Sequence, residues 1–195
     1  MYKIINIKEL NFRACHHYLN EKDKQKIYKY VNKVDQLRSL GSIILQKEYI
    51  SSFYNNLSFE DIHICYTDNG KPYYEDLKYN ISHDDDIVII VYSNNLDDDI
   101  GVDVMKCKNV DIDKFLNCFT SFEKMYLSNE TFFKYWCAKE AFLKAIGKGL
   151  LIDLNLVEFN IINNTIKYEN NIYYVEFIKI PEYICAYVVI DKLSG

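Results

Sequence analysis

One aspartate stands inside an otherwise apolar run, Gly101-Val102-Asp103-Val104-Met105. A carboxylate flanked by valines needs a partner, because uncompensated burial of charge is costly. A second charged cluster lies downstream in Trp136-Cys137-Ala138-Lys139-Glu140-Ala141-Phe142-Leu143-Lys144. Glu140 and Lys144 are four residues apart and share one helix face. Two shorter segments carry further polar groups beside apolar strands, Gly70-Lys71-Pro72 and Asn80-Ile81-Ser82-His83. Carboxylate, ammonium and imidazole are the groups used for proton transfer and for stabilising phosphate charge. Each segment taken alone has a plainer reading: a turn with a solvated lysine, a capped turn, an ion-paired helix face.

These residues need elements to hold them. Ile4–Ile7 reads as a first strand, and Asn20 as the N-cap of a charged helix over Glu21–Val31. Asp35 is read as the cap of a second helix, where Leu37, Leu40, Ile44 and Leu45 recur at helical spacing. Ile62–Tyr66 is a strand candidate, followed by an Asn69-Gly70 turn and Pro72, which keeps the chain extended. Ile87–Tyr92 reads as a buried strand and Ile100–Met105 as the next, so 87–105 is expected to form a hairpin. Asp111–Phe119 and Phe122–Leu127 are expected to be helical. Glu130–Ile146 is the clearest helix, ended by Gly147 and Gly149. The tail alternates over Leu156–Phe159, Tyr173–Ile180 and Ile184–Ile190, the pattern of an antiparallel sheet. There is no strict repeat, yet each half carries a long helix and several strands. The fold class is therefore α+β in two closely packed lobes, 1–106 and 107–195, with a cleft between them.

Order and combination add more than any one motif. Gly-Lys-Pro, Ile-Ser-His, Gly-Val-Asp and then W-x-x-K-E-x-x-x-K resembles the Sfp-type phosphopantetheinyl transferase family, from about Asn20 to Phe159. Gly101-Val102-Asp103 and Trp136–Lys144 are the most specific parts, and Gly147-Lys148-Gly149-Leu150 is also similar to the family. The resemblance implies two similar lobes related by a pseudo-twofold axis, each with a small, mainly antiparallel sheet and a long helix, and coenzyme A in the cleft. It implies transfer of 4′-phosphopantetheine from coenzyme A to a serine of an acyl, peptidyl or aryl carrier protein.

By the same resemblance Asp103 and Glu140 are Mg²⁺ ligands, hard oxygen donors for a hard ion. A third acidic ligand common in relatives is here Met105, a poor ligand for Mg²⁺. Water is expected in its place, with Glu123 as the acidic position that would hold it. Glu140 is also the implied general base, directly or through water. Lys144 is implied to stabilise the transferring or leaving phosphate, with Lys139 in the same field. Lys71, Pro72, Ser82 and His83 match cofactor contacts, Arg38 matches an arginine of the 3′-phosphate region, and Lys26 is a neighbour. A basic family position appears here as Asp23. Phe115, Phe119, Phe122 and Met125 lie where relatives dock carriers.

The formal net charge of −5 excludes a general nucleic-acid binder, which needs a basic excess. The six cysteines at 15, 65, 107, 118, 137 and 185 contain no C-x-x-C pair, so reduced thiols of a cytoplasmic protein are expected. No apolar stretch reaches membrane-spanning length, no signal peptide is visible, and a monomer is expected. Two other readings compete with transfer: a relative that binds coenzyme A or a carrier without reacting, and a metal-dependent hydrolase of phosphate anhydrides.

Overall fold

The computed structural model describes residues 1–54, 56–148 and 152–191. Gly149 and Leu150, named above, lie outside the described residues. The chain packs as two compact units, Met1–Leu96 and Asp97–Gly195. The division thus falls after Leu96, before the Gly-Val-Asp strand, instead of at residue 106.

In the first unit β1 (Tyr2–Asn6), α1 (Glu21–Tyr28), α2 (Lys33–Ser51), β2 (Cys65–Tyr66), β3 (Pro72–Tyr73), β4 (Lys78–Asp84) and β5 (Ile87–Ser93) follow in order. β5 is central, with β1 and β4 antiparallel on either side. Its Ile87–Val91 run is buried throughout, which explains why it is unbroken by polar residues. Leu40, Ile43, Ile44, Leu45, Tyr49 and Ile50 of α2 are buried, and α2 packs against β5. Gly41 allows the close approach, since a Cβ there would sit 3.2 Å from Val88. Asn20 and Asp23 form a capping box at the start of α1. Asp23 also takes a hydrogen bond from fully buried Lys47 at 2.5 Å, and Lys47 donates onward to the Phe59 carbonyl at 2.8 Å. Asp23 therefore serves the lysine of α2, which accounts for an acid at this position of α1.

The second unit holds β6 (Asp98–Lys106), α3 (Ser121–Lys124), α4 (Phe132–Ala145), β7 (Glu158–Asn160), β8 (Thr165–Tyr168), β9 (Asn171–Tyr174), β10 (Glu176–Ile180) and β11 (Tyr183–Asp191). One sheet runs β10-β11-β6 and a second β7-β8-β9, all antiparallel. α4 lies on β6 and β11. The expected 87–105 hairpin does not form. β5 spends its backbone groups on β1 and β4, whereas β6 pairs along its whole length with β11. Asp111–Phe119 is a 3₁₀ segment over Ile112–Cys118 and not an α-helix, and α3 is only one turn.

Each unit, taken separately, uses one plan: a strand, a long helix, then a hairpin whose second strand takes the centre of the sheet. Gly70 at φ 77° makes the β2–β3 turn and Gly147 at φ 71° follows α4, both in the left-handed region that glycine enters freely. All six cysteines are free thiols. No helix among the described residues is long and apolar enough to cross a membrane.

Candidate functional site

β6 and α4 meet at Gly101. A Cβ at that position would lie 1.9 Å from the Ala141 carbonyl oxygen and 2.4 Å from the Ala145 nitrogen. Only glycine lets the helix backbone come this near, and the contact sets the side chains that follow on both elements. Two residues on, Asp103 is 8% exposed. Lys144 donates to Asp103 Oδ1 at 2.6 Å and to the Val102 carbonyl at 3.0 Å. Glu140, one turn before Lys144, is half-buried. Burial pushes its carboxyl up first, the Asp103 charge pushes the same way, and Lys144 opposes both. The three expected catalytic residues are thus electrostatic neighbours within one unit.

The floor of the group is apolar and sulfur-rich. Cys137, fully buried, donates to the Ile184 carbonyl at 3.5 Å. Its thiol is pushed well up by burial and then by Asp103. The Cys185 thiol is pushed up to about 12, again by burial first and then by Asp103. Both stay neutral near pH 7, so Lys144 is the cation that balances Asp103 and Glu140. Met105 follows on the same face of β6 as Asp103, by strand alternation.

Asp103 and half-buried Glu140, two hard carboxylates that feel each other's charge, are donors of the kind that fit Mg²⁺, which takes one or two protein carboxylates and completes its shell with water and phosphate oxygens. No group of three or more His, Cys, Asp or Glu side chains is gathered as a cation cage among the described residues.

Glu123 and Lys139 have a different place from the one expected. Both are almost wholly buried, and they pair with each other at 2.6 Å. Glu123 Oε2 also accepts from the Thr120 N–H at 2.8 Å, and Oε1 from the Phe159 N–H at 2.8 Å. Lys139 gives a further bond to the Cys118 carbonyl at 2.8 Å. These groups join α3, α4 and β7. The residues expected to seat a carrier divide likewise. Phe119 is core, Phe115 packs on Phe132 and Trp136, and Met125 is exposed beside half-buried Phe122.

In the first unit, Lys26, Tyr30, Asp35, Arg38, Ser39, Ser42 and His83 line one pocket. Arg38 is held by Asp35 at 2.9 Å and by the Asp85 carbonyl at 2.8 Å. Lys26 lies over the Tyr66 ring and donates to its hydroxyl. Burial lowers its pKa, and Asp23 partly restores it. The hydroxyls of Ser39 and Ser42 are buried with no partner among the described residues. Two orphan donors beside an arginine and a lysine suit an anionic oxygen-rich group. Sequence reading missed both serines. The signal was a polar stripe at 35, 38, 39 and 42, one face of α2.

Lys71, Pro72 and Ser82 are not among that lining. Lys71 follows the β2–β3 turn, Pro72 opens β3, and Ser82 is buried on the opposite face of β4 from exposed His83.

Comparisons with known proteins match each unit separately. Residues 7–95 match the model described as 4′-phosphopantetheinyl transferase, N-terminal, and residues 99–188 match the 4′-phosphopantetheinyl transferase superfamily. The chain is 33% identical over 144 residues to the 4′-phosphopantetheinyl transferase gsp of Aneurinibacillus migulanus, covering 69% of this chain and 59% of that protein. It is 30% identical over 156 residues to the L-aminoadipate-semialdehyde dehydrogenase-phosphopantetheinyl transferase of Schizosaccharomyces pombe, covering 68% and 60%. It is 28% identical over 148 residues to the 4′-phosphopantetheinyl transferase Sfp of Bacillus subtilis strain 168, covering 71% and 64%. The match thus spans less than two thirds of each relative's own length.

Proposed function

The chain belongs to the 4′-phosphopantetheinyl transferase superfamily, and we propose that it moves 4′-phosphopantetheine from coenzyme A to a serine hydroxyl of a carrier protein. The observation that carries this reading is the Asp103–Lys144 ion pair beside half-buried Glu140. The serine oxygen attacks the β-phosphorus of coenzyme A. The bond from that phosphorus to the bridging oxygen breaks, and adenosine 3′,5′-bisphosphate leaves with the bonding electrons. Glu140 takes the serine proton, and its raised pKa makes it a stronger base than an ordinary glutamate. Lys144 stabilises charge gathering on the leaving phosphate. Asp103 and Glu140 would hold Mg²⁺, which when bound supplies neutralisation of the diphosphate charge. Arg38, Lys26, Ser39, Ser42 and His83 bind the 3′-phosphate end of the cofactor, and Lys71 and Ser82 contact it elsewhere. Phe122 and Met125 form the apolar part of the carrier seat.

The test is to incubate the protein with coenzyme A, Mg²⁺ and several apo carriers, and to weigh each carrier by mass spectrometry. A carrier heavier by one phosphopantetheine is the expected result. No modified carrier, with coenzyme A nonetheless bound, would favour a binding protein without transfer. Release of adenosine bisphosphate in the absence of any carrier would favour a hydrolase.

A further inference from the structure

Lys144 holds one oxygen of a carboxylate that a divalent cation would use. Its ammonium sits 2.6 Å from Asp103 Oδ1 and is pinned on its other side by the Val102 carbonyl at 3.0 Å. The side chain is 29% exposed and that of Asp103 is 11% exposed, so the pair is partly shielded from water. Magnesium binds a carboxylate oxygen at about 2.0–2.1 Å and needs its lone pair. An ammonium and a divalent ion on the same oxygen repel each other, and in a half-buried site that repulsion is only weakly screened.

We infer that Lys144 is a resident counter-ion competing with the divalent metal for Asp103, so that metal enters tightly only as the anionic cofactor draws Lys144 away. The inference rests on the proposed metal-ligand role of Asp103 and Glu140. The lysine stem is flexible, and its ammonium is a compact point charge that can exchange one anionic partner for another. Asp103 and Glu140 carry two negative charges, which Lys144 half neutralises. A diphosphate offers Lys144 a replacement partner and frees Asp103. Metal and cofactor therefore bind with positive coupling, and by reciprocity each tightens the other.

The test uses Mn²⁺ as probe, titrated into the full chain without cofactor and followed by the electron paramagnetic resonance of the free ion. Lys144→Met should bind Mn²⁺ about tenfold or more tightly than wild type, because one competing charge is gone. Lys144→Arg, which keeps the charge, should bind no more tightly than wild type. Circular dichroism checks that each variant is folded, and Lys144→Gln replaces the methionine variant should that one fail to fold. Mn²⁺ binding that depends on Asp103 and Glu140 (lost in Asp103→Asn and Glu140→Gln) but is not tightened in Lys144→Met would overturn the competition alone. Binding indifferent to both carboxylates would overturn the metal site and the competition with it.

Discussion

Replacing Gly101 by alanine should be the most damaging single-methyl change in the second unit. The added Cβ would stand 1.9 Å from the Ala141 carbonyl oxygen and 2.4 Å from the Ala145 nitrogen, against a floor of 3.0 Å for real contacts. Both obstacles are helix backbone, so no side chain can rotate aside. α4 must retreat from β6 by roughly 1 Å, the difference between the required and available separation. Overpacking a tight core costs about 1–3 kcal/mol and occasionally more. A rigid obstacle puts Gly101→Ala at about 3 kcal/mol or above. At about 2–4 °C per kcal/mol for a chain of this length, or about 4–8 °C if the second unit melts alone, the melting temperature should fall by about 6–24 °C. The same retreat draws Lys144 and Glu140 away from Asp103, so transfer should fall even at temperatures where the variant is folded. Gly70→Ala is the matched control: its Cβ meets nothing within 4 Å, and only its φ of 77° opposes the change, a strain of about 1–2 kcal/mol. Thermal unfolding followed by circular dichroism reads both. A Gly101→Ala variant melting within 3 °C of wild type, or no worse than Gly70→Ala, refutes the close-approach argument.

Removing one partner of the buried Glu123–Lys139 pair, as in Glu123→Ala or Lys139→Met, should cost about 3–5 kcal/mol in urea unfolding, whereas Glu123→Leu with Lys139→Met should recover much of it. Glu140 has its folded pKa raised above the unfolded value, so in the metal-free protein its contribution favours folding at low pH and is lost as pH rises through that raised pKa. Glu140→Gln should therefore gain stability relative to wild type at neutral pH and lose that advantage in acid, while losing transfer. Ser39→Ala and Ser42→Ala remove hydroxyls that have no partner among the described residues. Stability should hold within about 0.5 kcal/mol or rise, while the KM for coenzyme A rises with kcat kept.

The helix carrying Glu140 and Lys144 was legible because its apolar residues recur at helical spacing from Phe133 to Leu143 and Gly147 ends it. The antiparallel tail was legible for the corresponding reason of period two. Strand pairing was not. The segment from Asp98 to Lys106 finds its partner at Tyr183–Asp191, and nothing local distinguishes that distant strand from nearby Ile87–Ser93. The capping role of Glu123 was legible in part. Thr120-Ser121-Phe122-Glu123 is itself a capping-box sequence, as Asn20 through Asp23 nearly is, and an acid already committed to a cap is a weak metal candidate. What no local pattern could supply is that the two capping acids each meet a lysine from the long helix of their own unit, Lys47 and Lys139. The glycine of Gly-Val-Asp shows the same limit: its motif was visible, but its reason, the backbone of α4 resting on it, is a tertiary contact.

The most direct measurement is the mass of an apo carrier protein after incubation with coenzyme A, Mg²⁺ and either the wild-type chain, Asp103→Ala or Glu140→Ala, each first shown to be folded. Wild type should add one phosphopantetheine to the carrier serine, and each variant should leave nearly all of the carrier unmodified. A folded Glu140→Ala chain that turns over at the wild-type rate would contradict the assignment of the chemistry to this face of β6 and α4.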